Sequence, residues 1–139
     1  MRVFESIDVA GSGLTAHRLW MDTIASNIAN INTTRTLDGG PYIRKVPVFS
    51  EMLDQTIGGR RDIGGVRVTQ IVADPSAPRL SFQPDHPAAN EDGYVAFPNV
   101  NLVREMTDML VASRAYEANL AVADTAANMW NAALDIIRG

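Results

Sequence analysis

The feature that most constrains this chain is a long helical pattern at its C-terminal end. No proline or glycine interrupts the sequence between Asn99 and Gly139, and Val103, Met106 and Leu110 recur at helical steps of three and four. A single helix of roughly 40 residues would be about 60 Å long at 1.5 Å per residue. A chain of 139 residues cannot cover so long a helix with its own core. The helix therefore either folds back or is covered by other chains.

The N-terminal end carries a second helical pattern with a narrow apolar seam. One row is spaced by seven and consists of Ile7, Leu14, Met21 and Ile28. A second row, offset by three, consists of Val3, Ala10, His17, Ile24 and Ile31. Two interleaved rows of this kind are typical of a helix that packs on a partner helix in a coiled coil. We expect this helix to end near Asn30, where several Asn residues favour a helix end.

The region between the two helices predicts short strands joined by glycine- and proline-rich loops. Alternation of period two favours strands over residues 42–49 and 66–72, with brief pairing over 80–82 and a last strand over 94–97. Residues 54–65 contain four glycines and predict a flexible connection or a wide hairpin tip. Residues 74–90 hold four of the seven prolines and are expected to be extended and irregular.

These patterns predict a mainly α fold with a small β-rich insert. The three segments are an N-terminal helix over 1–32, a central β and irregular region over 33–98, and a C-terminal helix over 99–139. We expect the terminal helices to form an antiparallel, coiled-coil-like pair from which the β region projects. The expected helix seam includes Ile7 of the N-terminal helix. In some register, the seam residues of the N-terminal helix are expected to face those of the C-terminal helix: Leu14, Met21, Ile24 and Ile28 on the first helix, and Leu110, Leu120, Ala127 and Trp130 on the second. The alternative is a compact α+β domain in which both helices pack on the sheet.

Charge and composition exclude several classes of function. The net charge is -4 and the 12 basic residues form no stripe, which argues against nucleic-acid binding. Cysteine is absent, which excludes thiolate sites, and neither His17 nor His86 has neighbours at metal-ligand spacing. No apolar run approaches the roughly 18 residues that span a bilayer. The N-terminal residues lack the basic, apolar and cleavage-site pattern, so we expect no general secretory signal. We therefore expect no catalytic, cofactor or metal site, no enzyme activity and no membrane insertion. Arg104, Glu105 and Asp108 are expected on a solvated face or at subunit contacts.

Both ends of the chain resemble the rod proteins of the bacterial flagellar basal body. Residues 26–33 match the S-N-(L/I)-A-N-x-x-T signature of flagellar rod and hook proteins, and the opening of the chain is similar to that of proximal rod subunits. Residues 83–100 and 105–119 are similar to the corresponding stretches of a proximal rod protein. The signature and packing residues are Ser26, Asn27, Ala29, Asn30, Thr33, Pro98, Asn99, Glu105, Met106, Arg114, Tyr116, Glu117 and Asn119.

The resemblance implies a structural subunit of the basal-body rod. Such proteins are exported by the flagellar type III apparatus and assemble, through their terminal helices, with copies of themselves and with other rod proteins into a tube. The location implied is the rod of the basal body, in the periplasmic space. Two alternatives remain open: another short axial rod subunit of the same family, and a soluble α+β domain that binds a ligand through residues 42–97.

The stepping of large apolar residues in the C-terminal helix slips after Ser113. Beyond Leu110 the next large apolar residues are Tyr116 and Leu120. Such a slip rotates a seam relative to its partner helix. It is either a tolerated irregularity or the place where the helix turns from its own partner to a neighbouring subunit. On the second interpretation, Arg114, Tyr116, Glu117 and Asn119 make contacts between subunits.

Overall fold

The computed structural model describes residues 2–55 and 61–138, with side chains over 5–52 and 64–136. Its elements, in chain order, are α1 (Arg2–Ala29), β1 (Lys45–Gln55), β2 (Arg61–Ala73), β3 (Arg79–Phe82), β4 (Tyr94–Phe97) and α2 (Leu102–Arg138). The two helices contain 28 and 37 residues, about half of the chain. The mainly α fold with a small β insert is therefore confirmed. The expected hairpin tip, between β1 and β2, lies partly outside the described residues.

The terminal helices pack against each other in antiparallel directions. Near the end of α1, the Asn27 amide contacts the Glu105 carboxylate at the start of α2. Fourteen residues back along α1, Gly13 lies so close to α2 that an added Cβ would stand 2.8 Å from the Asn119 side chain. Both helices advance by 14 residues between these two contacts, so one register holds along the pair. Because α2 is the longer helix, its last turns run beyond the start of α1.

The side chains of α2 that face α1 are not the ones that the sequence predicted. Leu110 and Leu120 are 59% and 45% exposed, and Ala127 is exposed as well. The face of α2 that α1 covers instead steps by seven through Glu105, Ala112, Asn119 and Ala126. Small side chains let two helix backbones approach closely, and this is why the seam does not follow the largest apolar residues.

The seam residues of α1 differ in how far they are buried. Ile24 is fully buried, and the others are half-buried: Ile7, Leu14, Met21 and Ile28. On α2, Trp130 is half-buried. Because α2 contributes small and polar residues along one continuous row, the apparent slip after Ser113 is not a break in its contact with α1.

The hairpin of β1 and β2 lies along α1, so the expectation that the β region projects from the helix pair is wrong for the hairpin. The backbone N–H of Val66 donates to the Ser12 hydroxyl of α1 at 3.0 Å. On the same helix, the Trp20 ring meets the Phe49 ring of β1 edge-on, with centroids 5.7 Å apart. Packed between α2 and the hairpin, α1 is therefore the central layer of the fold.

The strands of the hairpin are longer than the alternation predicted. β1 begins at Lys45 rather than at residue 42, and it continues to Gln55 past two register shifts. β2 includes Gly65, which has a φ of 114° and sits against the Ser12 side chain. A glycine at this point keeps the strand close to α1, because a Cβ would collide with Ser12. The sequence predicted a flexible connection or a hairpin tip over residues 54–65, because a sequence pattern does not show this contact between distant residues.

The second sheet pairs β3 with β4, the two short strands that the patterns predicted. Phe82 stands opposite Tyr94, and Leu80 stands opposite Ala96. One face of this small sheet is closed by the fully buried Val95. The other face leaves Leu80 and Phe82 exposed.

Candidate functional site

The rod-like signature closes the end of α1. The Asn30 side chain donates to the carbonyl of Ser26 at 2.9 Å, and the Thr33 hydroxyl donates to the Asn30 side chain at 3.2 Å. Helix ends leave backbone carbonyls without partners, and these bonds satisfy part of that need. The carbonyl of Thr33 then accepts from the backbone N–H of Tyr42. The signature thus ends the helix and directs the chain toward β1, whereas Ala29 is exposed.

Asn27 is the side chain that ties α1 to both neighbouring segments. Its oxygen accepts from the backbone N–H of Lys45 at 2.9 Å and from the Tyr42 hydroxyl at 3.0 Å. Its nitrogen donates to the carbonyl of Lys45 at 2.9 Å and to the Glu105 carboxylate at 3.0 Å. The amide therefore pairs with a β1 residue as a neighbouring strand would. All of its hydrogen-bonding capacity is used in a buried position.

Arg44 is the centre of a buried polar cluster that we call the Arg44 cluster: Asn27, Arg44, Asp74, Asn99, Glu105 and Asp108. Its guanidinium contacts three carboxylates, Glu105 at 2.6 Å, Asp108 at 3.2 Å and Asp74 at 3.4 Å. Arginine suits this place because its fork of five donors can serve several acceptors at once. The three acidic residues come from α2 and from the end of β2, so a single side chain joins the hairpin to the helix pair.

The pKa directions agree with a charged cluster. Burial would lower the pKa of Arg44, but hydrogen bonds to Glu105 and Asp74 and the charges of these carboxylates outweigh burial and raise it. The pKa of Asp74 lies below its usual value, first because Ser76 donates to it from both its hydroxyl and its backbone N–H. The Arg44 guanidinium lowers the pKa of Asp74 further. Arg44 and Asp74 therefore both favour their charged forms in the folded chain.

Asn99 and Pro98 complete the junction ahead of α2. The Asn99 oxygen accepts from the backbone N–H of Arg44 at 2.8 Å, and its nitrogen donates to the carbonyls of Asp74 and Ser76. Pro98 is fully buried beside it. Two residues further on, Asn101 accepts from the backbone N–H of Arg104 at 3.1 Å and caps the first turn of α2. These contacts fix where α2 begins.

The cluster corrects one sequence expectation and adds residues that the patterns did not single out. Glu105 is completely buried and Asp108 is half-buried on Arg44, so these two are not a freely solvated face. The sequence pattern places Arg44 within the predicted strand over residues 42–49 and gives it no further role. Its partners lie 30 to 64 residues away in sequence, a distance at which no local pattern pairs them. The buried signature residues Asn27 and Glu105 were the signal that could have indicated a polar cluster.

Other signature residues of α2 lie on its surface. Met106 is 59% exposed and forms an uncovered apolar flank, the α2 flank, with Leu102, Val103 and Leu110. Arg114 and Glu117 pair with each other at 2.8 Å, and both are largely exposed. Asn119 lies against Gly13 of α1, and Tyr116 is half-buried. Some of the thirteen signature residues therefore lie in the buried junction, whereas Met106, Arg114 and Glu117 lie on the exposed surface of α2.

Neither a metal site nor a membrane-spanning helix is found among the described residues 2–55 and 61–138. In this part of the chain no three His, Cys, Asp or Glu side chains are arranged to hold a metal ion. No described helix combines the length and the apolar character that a membrane crossing needs. The carboxylates that do converge are those that Arg44 already holds.

Comparison with known proteins found two family models along the chain. The model described as "Flagella basal body rod protein" matches residues 7–35, and "Flagellar basal body rod FlgEFG protein C-terminal" matches residues 91–136. Similar proteins include three called flagellar basal-body rod protein FlgC. That of Borreliella burgdorferi is 45% identical over 100% of both chains. That of Bacillus subtilis is 38% identical over 98% of this chain and 99% of its own. That of Yersinia enterocolitica is 41% identical over 90% of each.

Proposed function

Since this chain belongs to the family of flagellar basal-body rod proteins named FlgC, we propose that it is a structural subunit of the rod, located in the flagellar basal body and assembled with other rod proteins. The observation that carries the proposal is similarity over the whole length to relatives of that name. The work of such a subunit is mechanical and needs no catalytic group. For a member of this family, the working hypothesis is therefore a structural protein and not an enzyme.

The uncovered apolar surface of α2 supports assembly through the terminal helices. Val103 is 74% exposed, and Met106 and Leu110 are each 59% exposed. Leaving apolar area in water costs about 25 cal/mol per Å², and monomeric proteins rarely expose large contiguous apolar patches. Neighbouring subunits in a tube would cover this α2 flank. Copies of this chain and other rod proteins are the partners that we propose.

We infer that the pairing of α1 and α2 is coiled-coil-like. Rows spaced by seven on both helices support this, because a strict seven-residue repeat is the pattern that winds two helices around each other. In the same proposal, residues 1–32 and 99–139 are the two rod helices, and residues 33–98 are the central β-rich and extended region between them. Export by the flagellar type III apparatus to the periplasmic space is proposed from the family alone.

Residues 114–119, which include the exposed Arg114 and Glu117, are the proposed site of contact between subunits. Arg114 and Glu117 pair in the single chain at 73% and 56% side-chain exposure, so both are available to a neighbour. Exposed ion pairs of this kind contribute only about 0.3–0.5 kcal/mol to a helix. Exchanging such a partner for one on another subunit would therefore cost the fold little. Asn119 contacts α1 and Tyr116 is half-buried, so Arg114 and Glu117 are the most exposed of the proposed contact residues.

The test is incorporation of charge-reversed chains into purified basal bodies. Glu117→Lys should block incorporation while the amount of protein in the cell and its export stay normal, because the exposed site is not needed for folding. Glu117→Gln, which keeps the size of the side chain, is the matched control and should be incorporated. A second variant, Leu110→Glu with Leu110→Met as its control, tests the α2 flank. If Glu117→Lys and Leu110→Glu both build rods at the normal efficiency, the proposed contacts are wrong.

A further inference from the structure

A small cleft opens beside the Arg44 cluster, between α1, β1 and the first turns of α2. Its apolar wall, which we call the aromatic cleft, consists of Trp20, Ile24, Pro47 and Phe49. Its volume is about 250 Å³. Sites for small molecules usually measure about 300–1,000 Å³, so this cleft has the size for one anchoring side chain rather than for a whole ligand.

Two cations stand at the rim of the aromatic cleft. Lys45 and Arg104 line it, and both side chains are exposed. Of the carboxylates that line it, Asp108 and Glu105 are already held by Arg44. Within the described part of the chain neither rim cation has an ion-pair partner, and the Lys45 ammonium is only near the Tyr42 ring, 5.8 Å from its centre. An apolar recess with cations at its rim suits an aromatic or aliphatic side chain that is flanked by carboxylates.

The same chain carries that combination on the sheet of β3 and β4. The β3–β4 patch consists of Leu80, Phe82 and Tyr94 on the open face of the sheet. Leu80 and Phe82 are 64% and 63% exposed. Phe82 is held in place, since its ring meets Tyr94 edge-on at 5.3 Å and packs against Gly93, where a Cβ would stand 2.9 Å away. A fixed aromatic side chain loses little freedom when it binds.

Carboxylates lie directly beside this patch. The loop over residues 83–93 joins Phe82 to Tyr94, and its acidic residues, the acidic loop, are Asp85, Glu91 and Asp92. All three are exposed, and in the described structure none of their carboxylates is paired with a cation. The β3–β4 patch and the acidic loop therefore complement the aromatic cleft and its rim. The exposed aromatic side chain matches the apolar recess, and the carboxylates match the two rim cations.

We propose that the β3–β4 patch of one copy of this chain docks into the aromatic cleft of the next copy. Phe82 enters the cleft beside Trp20 and Phe49, and the acidic loop faces Lys45 and Arg104. This inference rests on the proposed function, because it names one contact between copies within the rod. The two docking surfaces are different, so the contact is head-to-tail and can repeat around a ring or along a helical array. Buried aromatic anchors supply most of the energy of such contacts, and opposite charges fix their orientation.

Cysteine cross-linking provides a direct test, because the chain has no cysteine of its own. Gln83→Cys lies next to the patch and Arg104→Cys lies at the rim. A chain carrying both, incorporated in purified basal bodies and treated with a short bismaleimide, should give products at multiples of 15.1 kDa. Chains carrying Gln83→Cys alone or Arg104→Cys alone are the matched controls and should remain monomers. Absence of the multiples, or a cross-link to a different protein instead, would overturn the proposal.

Charge reversal tests the same contact in the cell. Glu91→Lys/Asp92→Lys should lower incorporation into basal bodies by roughly tenfold, and Lys45→Glu/Arg104→Glu should do the same. The chain that combines all four changes restores opposite charges and should recover incorporation. A combined chain as defective as either pair, or pairs that incorporate normally, would contradict the docking. The proposed function fails separately, since it requires the unaltered chain to be present in basal bodies at all.

Discussion

The two ends of the helix pair are held by different means. At the near end, where α1 finishes and α2 starts, the Arg44 cluster fixes the helices to each other and to β1 through buried hydrogen bonds and ion pairs. At the far end, beyond Asn119, Ala126 is the buried residue of α2 within its described side chains. There an open groove of about 340 Å³ lies between Ser6 and the stretch from Ala121 to Met129.

This difference separates what one chain can stabilise from what its neighbours must supply. The near end satisfies its polar groups within a single chain and buries residues of both helices. The far end exposes Val122, Met129 and Ile136, at 51%, 61% and 82%. Apart from the buried Ala126 and the half-buried Trp130, this stretch of α2 has little cover, so it depends largely on its own helix propensity, which is marginal in water. We therefore expect the near end to be ordered in the free subunit and the far end to become ordered on assembly.

The largest effect is expected from removing the centre of the near end. Arg44→Met leaves the buried Glu105 carboxylate without its ion-pair partner, so the free energy of unfolding should fall by about 3–5 kcal/mol. Urea unfolding of a Trp130→Phe background, in which Trp20 reports on the near end, measures this loss. Arg114→Met is the matched control, because its ion pair is exposed and should contribute less than about 1 kcal/mol. An equal loss in the two variants would remove the distinction between the ends.

A smaller loss is expected from Asn27→Ala. The substitution leaves the backbone N–H and carbonyl of Lys45 without their side-chain partner in a buried place, at a cost of about 1–3 kcal/mol. Asn32→Ala, on an exposed residue of the following turn, should change stability by less than about 0.5 kcal/mol. The same urea experiment measures both. If Asn27→Ala costs no more than Asn32→Ala, the signature Asn does not hold the junction.

Two glycines in α1 sharpen the comparison, because they differ in what lies beside them. At Gly11 an added Cβ would meet nothing within 4 Å, whereas at Gly13 it would press on Asn119. Gly11→Ala should stabilise the helix by up to about 1 kcal/mol. Gly13→Ala should instead destabilise the chain by about 1 kcal/mol, the lower end of the cost of overpacking. In a chain that carries Asn119→Ala, Gly13→Ala should become stabilising. If it stays unfavourable there, the close approach of the helices is not the cause.

The smallest expected effect is on how the free energy of unfolding depends on pH. The pKa of Asp74 is lower in the folded chain than its usual 3.8, so its contribution to stability is complete above that value and is lost as pH falls through the folded pKa. Between about pH 5 and pH 2 the native chain should lose up to about 1 kcal/mol more than Asp74→Asn does. Parallel acid titrations of both chains, followed by urea unfolding, measure the difference. Identical pH profiles would show that Asp74 makes no such contribution.

The sequence predicted the elements of this fold better than their contacts. Both helices and the short strands followed from local periodicity, since the pattern within each element is set by the face that it buries. The side of α2 that faces α1 did not follow, because its contact is made by Ala112, Asn119 and Ala126 rather than by large apolar residues. Periodicity of large residues instead marked the α2 flank, the surface that a single chain leaves uncovered.

The same limit explains what was predicted of the candidate site. Asn27, Asn99 and Glu105 came from the resemblance to rod proteins, and each lies in the Arg44 cluster. Arg44 itself and Asp74 were not singled out. They lie outside the recognised motifs, and only the folded chain brings them to the helix junction. The assignment of Arg114, Tyr116 and Glu117 to contacts between subunits stays a prediction.

Amide hydrogen exchange on the free full-length chain, compared with the chain in assembled rods, tests the central claim most directly. In the free chain, amides over residues 20–29 and 104–112 should exchange slowly, because their hydrogen bonds break only when the whole near end unfolds. Amides over 5–10 and 122–136 should exchange quickly in the free chain and become protected in the rod. Slow exchange along the full length of both helices in the free chain would contradict the account.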